Sequence, residues 1–170
     1  MKKQKRTNVI KMNVSDDSGF LSVYSTGENP ALSSEVAQFL DESVMSVRAK
    51  DEIKLEIYSS CIDSDEKRLY VSAIKDYFKK RKENALKSLK RNYILSGIFL
   101  FFGVIILAIA LILEYKTQNI LWSEVVDVAA WVFLWEAVNI YAIENHGLRL
   151  QWRRYSSLSE ISVEFFNTEK

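Results

Sequence analysis

The sequence predicts an α+β membrane protein in which a small cytoplasmic ββαβ-type domain, completed by a C-terminal strand, continues through a long helix into a two-helix transmembrane hairpin. Three observations lead to this fold class. The run Tyr93–Leu113 has no charged residue, a second apolar run begins at Ile120, and apolar and polar residues alternate near both ends of the chain. About 20 apolar residues in a helix cross the roughly 30 Å hydrocarbon layer of a bilayer, whereas alternation is typical of strands.

The composition argues against several classes of protein. The 170 residues include 23 basic and 22 acidic side chains, which disfavours a simple nucleic-acid-binding protein. Five glycines and one proline leave few tight turns and favour long helices. Because Cys61 is the only cysteine and His146 the only histidine, neither an intramolecular disulfide nor a Cys/His zinc site is expected. We therefore expect no metal and no cofactor.

Residues 1–92 have the pattern of a folded domain rather than of a tail. The segment "NVIKMNV" alternates and is followed, after "SDDSG", by a second candidate strand, "GFLSVYS", so a β-hairpin is expected. Asn29 before Pro30 predicts the start of a helix whose apolar residues recur at helical spacing. The segment "EIKLEIY" from Glu52 alternates cleanly and predicts a strand.

A long helix is expected to follow this strand. Asp63 and Glu66 have the spacing of a capping box, and an apolar stripe then enters the first apolar run. One continuous helix from about Ser64 to Leu113 would be roughly 75 Å long and would couple the domain to the membrane. Near the C-terminus, "SEISVEFF" alternates and predicts a strand that returns to the N-terminal sheet.

These elements divide the chain into five parts. We expect a cytoplasmic sensor domain and basic linker helix at 1–92, a transmembrane helix at 93–113, an external loop at 114–119, a second transmembrane helix at 120–145, and a cytoplasmic tail with a strand at 146–170. Basic residues flank both spans on the side away from the loop, so both termini are expected in the cytoplasm. The charged N-terminus lacks the apolar core of a signal peptide, so the spans themselves are expected to direct membrane insertion.

Glu136 lies deep in the second apolar run, one helical turn before Asn139. Exposing a carboxylate to lipid costs about 2.5–3.5 kcal/mol or more, and two spans per chain cannot enclose it, so we expect a homo-oligomer such as a tetramer. Three interpretations remain open: Glu136 and Asn139 line a cation-selective pore, Glu136 holds helices together through hydrogen bonds, or Glu136 lies at headgroup level.

The basic residues of the long helix also have two interpretations. Contact with anionic headgroups and orientation of the spans explain them simply. Alternatively, a phosphate-rich ligand binds in a basic cavity between subunits, lined by Lys75, Lys79, Lys82 and Arg91. The sequence contains no glycine-rich phosphate loop. An enzyme is not predicted, because no nucleophile or catalytic partner accompanies His146 and the acidic segments "SDD" and "DSDE" are typical of turns and caps.

The segment "WVFLWEAVNIYAIE", followed by "LRLQWRRYSSLSEISVEF", resembles a widespread family of prokaryotic two-span membrane proteins with a Trp-rich second span, a "WE" step and a short terminal strand. The likeness covers Trp131–Phe166 and implies a multi-pass protein of the bacterial inner membrane, but no activity by itself. In layout the chain is similar to the channel-forming effectors of the Hailong anti-phage defence system. That similarity implies a nucleotide or oligonucleotide ligand made by a partner nucleotidyltransferase.

Two functions therefore follow from the sequence as hypotheses. The first is a homo-oligomeric channel or membrane-disrupting effector that is gated through its cytoplasmic domain. The second is a membrane-anchored scaffold or protein-binding module without pore activity.

Overall fold

The computed structural model describes residues 7–27, 29–47, 51–116 and 120–167. In chain order the elements are strand β1 (Thr7–Val14), helix α1 (Ser34–Ser46), strand β2 (Glu52–Ser59), helix α2 (Ser64–Lys116), helix α3 (Ile120–Val138), a π-helix (Asn139–Glu144), helix α4 (Asn145–Leu158) and strand β3 (Ser162–Phe166). The chain forms two compact units. The first comprises the residues up to Asn84 together with those from Leu150 onward, and the second comprises Ala85–Arg149.

The first unit contains a three-stranded parallel sheet in the order β1-β2-β3. The predicted C-terminal strand is confirmed, since β3 pairs with β2 along Lys54–Tyr58. The predicted β-hairpin is wrong. Instead of returning along β1, the chain after it places Phe20 in the core, where its ring stacks on that of Tyr70 with the centroids 4.2 Å apart. Burial of this aromatic ring draws the segment away from the edge of β1, so the unit is βαβ with an added parallel strand rather than ββαβ.

The sequence predicted the start of helix α2 correctly but placed the start of helix α1 too early. Helix α1 begins at Ser34 rather than after Pro30, because the Ser33 hydroxyl accepts a hydrogen bond from the Val36 backbone N–H and caps the helix there. The capping box of α2 is confirmed. Asp63 Oδ1 accepts from the Glu66 N–H at 2.8 Å, and Glu66 Oε2 accepts from the Asp63 N–H at 2.9 Å.

The core of the first unit lies on one face of the sheet. Leu55 and Ile57 of the central strand are fully buried there, and three helices cover them. The helical residues in this core include Leu40 and Val44 from α1, Ile74 and Phe78 from α2, and Tyr155 and Leu158 from α4. The opposite face carries Lys54 and Glu164, whose side chains form an ion pair at 2.7 Å. Parallel sheets are usually covered on both faces, so this partly exposed polar face is unusual.

A partly buried polar cluster joins α1 to α2 within the first unit. The Tyr77 hydroxyl donates to Asp41 Oδ2 at 2.7 Å, and Arg81 donates both to that carboxylate and, through Nε, to the Tyr77 oxygen at 3.0 Å. The Asp41 side chain is only 16% exposed, so it is held by charge-assisted bonds in a poorly solvated place. Burial and the bond to Asp41 raise the pKa of Tyr77 to about 12, against an opposing effect of Arg81.

The second unit consists of the remainder of α2, then α3, the π-helix and the start of α4. Helix α2 is continuous, as predicted, and ends at Lys116 rather than Leu113, so residues 114–116 of the predicted loop are helical. Residues 117–119 of that loop lie outside the described residues. Two helical stretches, Ser64–Lys116 and Glu124–Leu158, are long and apolar enough to cross a membrane by length and composition. In each, only 17% of the most apolar window is buried, unlike a core helix of a soluble protein.

The polar cluster predicts a loss of stability at alkaline pH. Because folding raises the pKa of Tyr77 from 10.0, the folded chain holds the phenol proton more tightly than the unfolded chain does. This contribution to stability is fully present below about pH 10 and is lost as the pH rises towards 12. We expect Tyr77→Phe to lower the unfolding free energy by about 1 kcal/mol at pH 7 and to flatten the decline above pH 10, measured by urea unfolding.

Tyr24→Phe is the matched control, since it removes an exposed phenol outside the cluster. An equal change in the alkaline stability profile of both variants would contradict the assignment to Tyr77.

Candidate functional site in the apolar hairpin

Helix α2 carries a regular seam of buried residues in the second unit, and Ser96, Phe99 and Gly103 of this seam contact α3. Its buried positions on α2 alternate at spacings of four and three residues. They are Ala85, Leu89, Asn92, Ser96, Gly103 and Ala110, with half-buried Phe99 and Ile106 completing the series. On α3 and the start of the π-helix the seam continues through Ala130, Phe133, Ala137 and Ile140. A 3.5-residue repeat is the pattern of coiled-coil packing.

The contacts along the seam show that the two helices run antiparallel. Gly103 lies so close to Leu134 that a Cβ built on the glycine would be 2.8 Å from the Leu134 Cδ2 atom and 3.2 Å from its backbone nitrogen. Ser96, which is earlier in α2, contacts Ala137, which is later in α3. The rings of Phe99 and Phe133 have centroids 5.8 Å apart. Small residues at such contacts let helix backbones approach closely and increase van der Waals contact between the helices. In a lipid environment, where the hydrophobic effect contributes little to helix pairing, this contact stabilises helix pairs.

The π-helix shifts the phase of this seam by one residue. In an α-helix the position after Ile140 would be residue 144, but the buried residue is Asn145, five positions on. A wide turn adds one residue, and in it the Asn145 backbone N–H donates to the Ile140 carbonyl. As a result Glu144 is turned out of the seam and Asn145 is turned into it. Single π-turns inside α-helices occur often at functional sites.

Polar groups gather around this turn. The Ser96 hydroxyl donates to the Ala137 carbonyl at 2.9 Å, and Asn92 Nδ2 donates to Glu144 Oε2 at 3.2 Å. The Asn145 side chain is 0% exposed, and neither of its polar atoms has a hydrogen-bond partner among the described residues. Burying an unpaired amide costs about 1–3 kcal/mol, so an apolar side chain would suit this position better for stability alone.

An arginine and two tyrosines close the same end of the hairpin. Arg149 Nε donates to the Tyr93 hydroxyl at 3.0 Å, and its guanidinium carbon lies 5.6 Å from the centre of the Tyr93 ring and 5.7 Å from that of Tyr141. The two rings meet edge to face with centroids 5.9 Å apart. Cation–π contacts of this kind hold a charge next to an apolar surface without removing it from water.

The two residues that the sequence singled out, Glu136 and Asn139, are both half-buried and lie beside the seam rather than in it. In a regular α-helix Val132, Glu136, Asn139 and Ile143 would share one face, but the π-helix that begins at Asn139 changes the helical phase before Ile143. Among the described residues, Glu136 has no hydrogen bond or ion pair. Its neighbours Trp135 and Val132 are 69% and 62% exposed.

The basic residues do not form one group. Lys75, Lys79 and Lys82 lie on one side of α2 in the first unit, and among the described residues none of them forms an ion pair. Arg91 belongs to the second unit, and on a continuous helix the 3.6-residue period turns it about 160° away from Lys75. Helix geometry therefore places Arg91 on a different side of α2 from the three lysines, and the basic cavity between subunits stays a prediction.

Other candidate positions contribute less. His146 is exposed in the first turn of α4. The described residues contain no group of three or more His, Cys, Asp or Glu side chains able to hold a metal ion. The N-termini of α1 and α2 are already capped by Ser33 and Asp63, which leaves less capacity for a phosphate at either end.

Sequence reasoning missed the polar groups at this end of the hairpin, which are Asn92, Ser96 and Asn145 in the seam and Glu144 beside it. The signal for the first two was present, because they continue the four-three spacing of Ala85 and Leu89 into the first apolar run. Placing Asn145 in the seam required knowledge of the π-helix, which no residue pattern in the sequence indicates.

No family model, curated protein or solved structure matches this chain. The site must therefore be interpreted from its own residues.

The close approach at Gly103 gives a matched pair of substitutions. Gly103→Val forces side-chain atoms against Leu134, whereas a Cβ on Gly97 has nothing within 4 Å. We expect Gly103→Val to lower the unfolding free energy in mild detergent by about 1–3 kcal/mol and Gly97→Val to change it by less than about 0.5 kcal/mol. Thermal unfolding followed by Trp fluorescence measures both. Equal losses of unfolding free energy in the two variants would show that the seam does not stabilise the hairpin.

The phase shift predicts an unusual tolerance to deletion. Removing the exposed residue Ala142 makes Ile140 and Asn145 four residues apart, so an unbroken α-helix keeps the same buried seam. We expect this deletion variant to fold with a thermal midpoint within a few degrees of the original chain, whereas insertion of one alanine after Ala142 should rotate the later seam residues by about 100° and destabilise it strongly. If the deletion is as damaging as the insertion, the π-helix does not serve as a phase correction.

Proposed function

We propose that this chain is the subunit of a homo-oligomeric membrane channel or membrane-disrupting effector that is gated through its cytoplasmic domain. The observation that carries the proposal is the position of Glu136. This carboxylate is half-buried beside the seam of an apolar hairpin and, among the described residues, has no hydrogen-bond or ion-pair partner within its own chain. A carboxylate so placed needs water or a polar group from another molecule.

The hairpin cannot enclose Glu136 by itself. Its neighbours at the surface are large and apolar, including Val128, Trp131 and Trp135, each more than 60% exposed. Such a surface suits lipid or another apolar helix, and neither satisfies a carboxylate. Copies of the chain arranged around an axis would give Glu136 a shared polar space. A ring of carboxylates favours cations over anions, with Asn139 one turn further along the same path.

The polar end of the seam offers a means of gating. Asn145 is buried and has no side-chain hydrogen-bond partner among the described residues, and the neighbouring π-helix is a less regular form of helix than α2 or α3. This turn can therefore change its hydrogen bonding at low cost. The turn lies between the apolar hairpin and the residues of α4 that enter the core of the first unit, among them Tyr155 and Leu158. In this proposal, a conformational change in the first unit is transmitted to the turn through the helical segment that connects them.

For the gating signal, we propose a nucleotide or oligonucleotide supplied by a partner nucleotidyltransferase in anti-phage defence. Support within the chain is limited to the exposed lysines at positions 75 and 79 and the half-buried Lys82, which present positive charge along one side of α2. In this arrangement Arg91 contacts anionic lipid headgroups instead of the ligand, because it lies beside the first apolar run and on a different side of α2 from the lysines. Both termini lie in the cytoplasm and the protein resides in the bacterial inner membrane.

A scaffold anchored by the same hairpin is the alternative function. The observation that favours it is an open groove of about 670 Å³ beside β1, which a protein segment could enter. A scaffold needs no conductance, so a measurement of conductance distinguishes these two functions.

Neutralising the carboxylate tests the pore directly. We expect purified chain in lipid vesicles to conduct cations in preference to anions once activated, and Glu136→Gln to reduce the cation-to-anion permeability ratio severalfold, because it removes the charge and keeps the shape. Reversal potentials under a salt gradient measure this ratio. Glu124→Gln is the matched control, since it neutralises an exposed carboxylate of the same helix. An unchanged ratio for Glu136→Gln would remove this residue from the pore, and the absence of conductance in any variant would favour the scaffold.

A further inference from the structure

The three-stranded sheet has two free edges. In the order β1-β2-β3, neither β1 nor β3 has a second strand partner among the described residues. The edge of β1 opens onto the groove of about 670 Å³, which is lined by the strand itself, including Val9 and Lys11, and by α1 residues such as Phe39 and Ser43. Free edges of sheets are templates for pairing with another strand, and most proteins cover or block them.

The charges on the polar face of the sheet favour one occupant of that edge. In the registered rows, Lys11 of β1 lies opposite Glu56 of β2, and Glu56 lies opposite Glu164 of β3. One row therefore reads plus, minus, minus from β1 to β3. Like charges directly opposite each other destabilise a sheet, and the ion pair of Glu164 with Lys54 offsets this within the chain. A lysine on the far side of β3 would offset it further.

We infer that β1 of one copy pairs in parallel with β3 of the next copy, so that Lys11 lies beside Glu164 of its neighbour. All three strands run in the same direction, so this pairing extends the sheet without changing its type. The contact joins two different edges and is therefore heterologous, and contacts of that kind can close into rings. The inference rests on the proposed homo-oligomer and assigns its contact surface outside the membrane.

A two-fold contact between two β1 strands is the competing arrangement. It would run antiparallel, would leave Glu164 without the additional cation, and would stop at a dimer because both copies use the same edge. A ring needs two distinct surfaces on each copy, which the β1 and β3 edges provide.

Cysteine crosslinking of the full chain in detergent tests the inference. The background is Cys61→Ser, which removes the free, exposed thiol. Lys11→Cys with Glu164→Cys cannot close within one chain, because two strand spacings of roughly 4.8 Å separate these positions, beyond the 7 Å limit for a disulfide. On mild oxidation we expect a ladder of covalent dimers and larger species up to a closed ring.

Glu56→Cys with Glu164→Cys is the control, since these positions are paired directly within the chain and should form an intramolecular bond with no ladder. A dimer from Lys11→Cys alone, with no ladder from the pair, would overturn the inference in favour of the two-fold contact. No intermolecular bond in any variant, with the control bond formed, would overturn it outright. In either case, conductance and oligomers found by amine crosslinking would leave the proposed channel standing; if those are absent too, the proposed function fails with it.

Discussion

The pairing of β3 with β2 is the constraint on which the rest of this chain depends. Strand β2 is followed by α2, which enters the apolar hairpin, and the chain returns through α4 to place β3 beside β2. Both ends of the hairpin therefore connect to a single sheet. The apolar segments are an insertion within one small α/β unit rather than an appendage to it.

The returning helical segment contributes residues to the packing of both units. Residues of the second apolar helix must meet α2 along the seam, while Tyr155 and Leu158 further along the same helical segment must reach the core of the first unit. Two packing requirements on one helical segment need not agree in phase. The π-helix adds one residue between Ile140 and Asn145 and so sets which of the following residues joins the seam. The cost of this turn includes the buried Asn145 side chain, which has no hydrogen-bond partner in the part of the chain that the structure describes.

Much of the fold could be predicted because it depends on local patterns. Four features each depend on a few adjacent residues: the uncharged run after Asn92, the alternation of β2, the capping box at Asp63 and the C-terminal strand. The predicted β-hairpin after β1 was wrong for two reasons. Alternation of apolar and polar residues indicates a strand but does not indicate which strand it pairs with. Phe20 packs in a core that forms only in the tertiary structure. Among the candidate site residues, Glu136 was visible as a charge in an apolar run. The polar seam was less visible because it depends on which face of α2 meets α3.

The distribution of polar groups also separates two tasks that a membrane carboxylate can perform. Glu144 is already bonded to Asn92 and lies at the end of the hairpin, so its role there is explained by helix packing. Glu136 lies deeper, half-buried beside the seam, and within the described part of the chain nothing is bonded to it. A side chain that merely braced helices would be expected to have its partner within the hairpin that it braces. The difference between these two glutamates supports the proposal that other copies of the chain complete the surroundings of Glu136.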